Sequence, residues 1–205
     1  MEASKVPAYN EVALKIKAPV YAYYAGRIYS KTGISSGCCL DVGCGGGYLG
    51  LALAKRTALK FLFLDQSPEM LHCAENNIAA GGLTARARTI RGMVQAIPLP
   101  DASVDLVISR GSIPFWEELP KAFAEIHRVL KSDGYAYIGG GLGDPSTRDA
   151  IEAQMKREYP KWKNKQHRPP RRDNKHYADA LTAAGIDPFT VTRSDEGLWI
   201  EFRKC

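Results

Sequence analysis

Short runs of apolar residues alternate along this chain with stretches in which apolar positions return every three or four residues, a pattern that predicts strands interleaved with helices. Leu40 and Val42 close a first short strand, and Leu49, Leu51, Ala52 and Leu53 open a helix running to about Arg56. Residues 59–64 form a second strand, apolar enough to be central, that ends at Asp65. A helix begins near Ser67 and Pro68, residues 89–93 end a third strand, and 104–109 form a fourth. Leu119, Phe123, Ile126 and Leu130 share one face of the next helix, stopped by Asp133 and Gly134, and 135–140 form a fifth strand. Ahead of this series, residues 6–30 read as two short helices broken by Pro7 and Pro19. Behind it, 145–159 and 174–186 read as helices, and 188–204 as two alternating strands joined at the SDEG turn. The order predicts an α/β fold with a doubly wound, mostly parallel sheet closed by an antiparallel hairpin.

Composition narrows the picture only modestly. A chain of 205 residues, 45% hydrophobic and without a long apolar run, suits a single soluble domain over 1–205. Within it we expect a helical cap over 1–32, a ligand-binding core over 33–142, and a basic insert, last helix and hairpin over 143–205. The first ten residues lack signal-peptide blocks, and Cys38, Cys39, Cys44, Cys73 and Cys205 form no CxxC pair. A cytoplasmic location with reduced thiols and no metal site is the expectation.

Candidate chemistry concentrates in residues 37–50, GCCLDVGCGGGYLG. Here a strand passes through glycines into a helix, so the main chain can take positive φ and lie directly against a ligand. No Gly-Lys-Ser/Thr ending follows, and Asp41 would oppose a pyrophosphate, which disfavours a nucleoside-triphosphate loop. The motif DVGCGGG resembles the first motif of class I S-adenosylmethionine methyltransferases. The resemblance implies a seven-stranded Rossmann-like sheet and S-adenosyl-L-methionine as cofactor, with its amino-acid part lined by Asp41, Gly43, Cys44, Gly45 and Gly47. An acid at the end of the second strand is placed to accept hydrogen bonds from both ribose hydroxyls, which assigns that role to Asp65.

LDQSPEML is similar to the family's second motif and sets Gln66 and Met70 beside the adenine. VQAIPLPDASVDLVISRGS resembles the ubiquinone and menaquinone methyltransferases, where an acid after the glycine holds the adenine amine. Gly92 is present here, but Met93 occupies the acid's place, leaving the backbone of Met93 and Val94, with Gln95 as a polar substitute. Ser109 and Arg110, at the end of the fourth strand, complete the expected cofactor edge. Tyr24 and Arg27 are expected to meet the cofactor carboxylate, and Arg110, Ser112, Phe115 and Trp116 to hold substrate. His127 reads as a surface or satisfied histidine, and no acid–base pair is evident.

The reading that follows is methyl transfer to a small molecule, driven by positioning and exclusion of water. Two alternatives stand beside it: an RNA or DNA methyltransferase, and a non-catalytic S-adenosylmethionine-binding module. The first rests on the formal net charge of +6. Nine lysines and arginines and only two acids fall within 156–175, so that charge is local. The segment predicts either a solvated connection or a hinged lid that attracts an anionic substrate, anchored by Trp162 among Lys161, Lys163 and Lys165.

Overall fold

A computed structural model describes residues 2–160 and 172–205. The three lysines and the tryptophan of the expected lid lie outside the described residues. Seven strands form one sheet in the order β3-β2-β1-β4-β5-β7-β6. They are β1 (Cys38–Val42), β2 (Lys60–Asp65), β3 (Ala87–Arg91), β4 (Val104–Arg110), β5 (Leu130–Gly140), β6 (Phe189–Ser194) and β7 (Gly197–Arg203). The first five run parallel, whereas β7 is antiparallel to β6, as the terminal hairpin pattern predicts, and to β5, as the family resemblance implies. The strand order reverses between β1 and β4, and in such sheets the crevice beyond the strands' C-terminal ends is where ligands bind.

The central strands are apolar on both sides because both faces are covered. Side chains alternate along a strand, so Phe61 and Phe63 enter one core while Leu62 and Leu64 enter the other. On the Phe61 face lie α2 (Ala18–Thr32) and α3 (Tyr48–Ala54), which pack on each other. The Leu62 face carries α5 (Leu119–Val129) and α7 (Asn174–Ala183). α1 (Val6–Lys15) rests on α4 (Pro68–Ala80), and α6 (Pro145–Glu158) begins behind the cap residue Asp144. Pro7 and Pro19 stand in the first turns of α1 and α2, where a missing N–H costs nothing.

Three boundaries differ from the expectation. The helix expected to reach Leu130 ends at Val129, because Leu130 adopts extended backbone and pairs with Val104. Asp133 then takes a left-handed turn within β5, and the register against β4 shifts between Val104 and Leu106. β3 stops at Arg91, leaving Met93 in a turn beyond the sheet. The N-terminal segment does more than cap the fold: Tyr24, Ala25 and Ile28 of α2 are fully buried and supply part of one core.

Candidate functional site

The ends of β1, β2 and β4 converge on residues 41–47. Gly43, Gly45 and Gly47 have φ of 63°, 55° and 80°, but they serve different ends. A Cβ on Gly43 would lie 2.4 Å from the Ser112 Cβ, so this glycine lets the β1 turn pack against the end of β4. A Cβ on Gly47 would press on the Phe63 ring in the core. On Gly45 a Cβ would meet only the flexible tip of the buried Met70, at 3.2 Å, so Gly45 is the one of the three with neither a ring nor backbone against it.

Hydrogen bonds pin this loop from three sides. Asp65, half-buried at the end of β2, accepts from the Gly45 N–H through Oδ2 at 2.9 Å and from the Ser67 N–H through Oδ1 at 3.0 Å. Ser67, and not Asp65, caps α4, its hydroxyl accepting from the Met70 N–H. Asp41 accepts from the Gly50 N–H at 3.0 Å. From α4, the buried Asn77 donates to the Gly46 carbonyl at 2.9 Å and to the Asn10 side chain at 2.9 Å. Neither asparagine carries a recognisable motif. Their role follows from α1 and α4 lying together over the loop, which no local pattern encodes.

Burial shifts the titration of this loop. Asp41 is almost fully enclosed, and loss of hydration raises its carboxyl to about 7 despite the opposing Gly50 N–H. The folded protein therefore binds a proton that the unfolded chain releases near 3.8. The associated stability is present below that lower value and is lost as pH rises through about 7. Between pH of about 6 and about 9 the cofactor-free protein should lose roughly 1.4 kcal/mol from this group. Urea midpoints across that interval should fall in wild type and stay flatter in Asp41→Asn; parallel profiles would show that Asp41 does not titrate there. Burial also holds the Cys44 thiol well above its usual value, which argues against a thiolate nucleophile.

The remaining expected residues divide into an edge and a core. Gln66 is exposed, Met70 is buried, and Met93, in the turn after β3, is 51% exposed. Gly92 is required by packing, since a Cβ there would crowd Pro98 and Leu64, and the Val94 side chain lies in the core. Gln95 donates to the Glu117 carbonyl, so in this arrangement its amide is committed away from the role of the missing acid. Ser112 is a junction: its hydroxyl lies 2.6 Å from that of Ser109, contacts the Val42 carbonyl and accepts from the Trp116 indole. Trp116 packs edge-on to Phe123 in the core, whereas Phe115 is 46% exposed. The structure thus places Phe115 at the surface and ties Trp116 to packing.

Tyr24 and Arg27 turn towards the terminal hairpin. The Tyr24 hydroxyl donates to the Glu196 carbonyl and accepts from the Gly143 N–H, and Arg27 pairs with the Glu196 carboxylate. Their polar groups are committed within the fold, which differs from the expected contact with a cofactor carboxylate. His127 lies against Phe202, away from the loop.

Comparison with known proteins identifies the family of this fold. The family described as Methyltransferase domain covers residues 40–138. A Methanococcus maripaludis protein of known structure, provisionally assigned as an S-adenosyl-L-methionine-dependent methyltransferase, is 38% identical and superposes with a TM-score of 0.89. The alignment covers 99% of this chain and 93% of that one. The chain belongs to the S-adenosylmethionine-dependent methyltransferases. Among curated methyltransferases, 2-methyl-6-phytyl-1,4-hydroquinone methyltransferase 1 of Oryza sativa subsp. japonica is 33% identical over 49% of this chain and 30% of its own length. The mitochondrial arginine-hydroxylase NDUFAF5 of Rattus norvegicus is 35% identical over 51% of this chain and 28% of its own. The chain therefore matches about a third or less of these two relatives. Among the described residues, no helix of this methyltransferase-family protein is long and apolar enough to cross a membrane.

Proposed function

We propose that the chain transfers a methyl group from S-adenosylmethionine to a small molecule at the crevice between Gly45, Asp65 and Arg110. The observation that carries this reading is the Asp65 carboxylate bound to the Gly45 N–H: it puts an anionic acceptor and an unobstructed glycine together at the end of β2. When bound, the cofactor supplies a methyl group on a positively charged sulfur. Asp65 spends one contact from each oxygen on the backbone and keeps lone pairs for the ribose hydroxyls. Gly45 leaves space for the ligand against the main chain, and the Asn77 and Asp41 bonds hold that surface in place before binding. Gln66 and Met70 are at hand for the adenine, with Met93 adding an apolar, polarizable contact where the resemblance leads one to expect an acid.

No acid–base pair is required, because displacement at the methyl carbon can be accelerated by alignment and exclusion of water. The nucleic-acid alternative draws only on the basic 156–175 stretch, and no described contact favours the non-catalytic one. An arginine hydroxylase among the relatives makes the transferred group the quantity to measure. Incubation with methyl-labelled S-adenosylmethionine and a fractionated cell extract should place label in a small-molecule fraction, with matching formation of S-adenosylhomocysteine. Label confined to RNA or DNA, or tight cofactor binding with no transfer in any fraction, would contradict the proposal.

A further inference from the structure

Arg110 ends β4 at the same sheet edge as Asp65, but its environment differs from that of an ordinary surface cation. Its guanidinium lies over the Tyr21 ring at 4.8 Å and the Tyr24 ring at 5.8 Å. One terminal N–H donates to the Gly141 carbonyl, while the Nε–H is buried without a hydrogen-bond partner. Among the described residues, no carboxylate forms an ion pair with it. The acid on the adjoining hairpin turn, Glu196, is taken by Arg27. Arg110 is half-buried, so its guanidinium is partly withdrawn from water with no counter-ion and with one donor bare, and an anion arriving there gains more than it would at a fully hydrated lysine.

The cation is also held in place. Tyr24 packs at a tilt against Trp199 with ring centroids 4.5 Å apart, and its hydroxyl is fixed by Glu196 and Gly143. A Cβ on Gly111, the next residue, would find nothing within 4 Å, so the turn that follows β4 has open space at that glycine. Phe115 is exposed a few residues further on.

We propose that Arg110 is an anchor for the carboxylate of a small organic ligand in this crevice. A planar guanidinium edge matches two carboxylate oxygens, and the buried Tyr21 and Tyr24 rings behind it hold that edge in place. The inference rests on the methyl-transfer reading and adds to it a ligand class. The carboxylate has two sources, the amino-acid end of the cofactor or the acceptor substrate.

Calorimetry with S-adenosylhomocysteine and with methylthioadenosine, which keeps the nucleoside but lacks the amino-acid carboxylate, separates the sources. If the cofactor supplies the group, Arg110→Gln weakens S-adenosylhomocysteine by about tenfold or more and leaves methylthioadenosine unchanged. If the substrate supplies it, both affinities persist, and benzoate raises the melting temperature of the S-adenosylhomocysteine-loaded wild type but not of Arg110→Gln. Arg110→Lys keeps the charge without the fork and should fall between wild type and Gln. It also carries the comparison if the Gln variant fails to fold. Equal responses of wild type and variants to every probe, or stabilisation by methyl phosphate and not by benzoate, overturn the assignment. Failure of the wild type to bind either nucleoside would instead remove the methyl-transfer reading on which it stands.

Discussion

Gly45→Val is expected to abolish detectable binding of S-adenosylhomocysteine while leaving a folded protein. A branched residue at φ 55° is strained by roughly 1–3 kcal/mol, a tolerable fraction of a typical stability of about 5–15 kcal/mol. Inside the protein the new Cβ meets only the Met70 methyl group, which can rotate away. The extra carbons must then occupy the ligand's side of the loop, and the shifted backbone pulls the Gly45 N–H from Asp65. Gly47→Val provides the contrast, because its added carbons enter the Phe63 core; it should lower the melting temperature more than Gly45→Val does. Circular dichroism alongside calorimetry checks both. A folded Gly45→Val protein that binds as wild type would remove the glycine loop from the cofactor site.

Asp65→Ala should weaken the cofactor by at least about tenfold. A hydrogen bond to a charged group contributes about 1.5–3 kcal/mol, and two ribose hydroxyls are available to this carboxylate. The same change frees the N–H groups of Gly45 and Ser67, so part of any loss could come from a loosened loop. A cofactor analogue lacking one ribose hydroxyl separates the two effects. It should bind wild type more weakly than the parent compound, but bind Asp65→Ala equally to the parent. If the hydroxyl matters equally in both proteins, Asp65 supports the loop without touching the ribose.

The strand series, its parallel order and the terminal hairpin were legible in the chain because each depends on local signals: apolar runs, proline and glycine punctuation, and alternation across the SDEG turn. The position of Asp65 at the end of β2 was legible for the same reason, since the apolar run 61–64 stops at it and the helix signals Ser67 and Pro68 follow at once. Helix periodicity misled at Leu130, whose spacing fits α5, because pairing with Val104 of a distant strand outweighed the local preference. Aromatic residues were ambiguous in the sequence for a related reason. Composition marks Trp116 and Tyr24 as candidates for ligand contact, but only packing against Phe123 and Trp199 decides which face each ring turns.

The division of labour among the glycines, the Asn10–Asn77–Gly46 bonds and the bare Nε–H of Arg110 belong to the tertiary structure alone. The amino-acid sequence by itself determined the βα order, the glycine turn and the acid at the end of β2, since neighbouring residues suffice to specify a turn and a strand end. Tertiary structure decided which donors are already satisfied and which remain for a ligand, because hydrogen-bond satisfaction is settled between residues far apart in the chain: Glu196 takes up Tyr24 and Arg27 and leaves Arg110 without an acid.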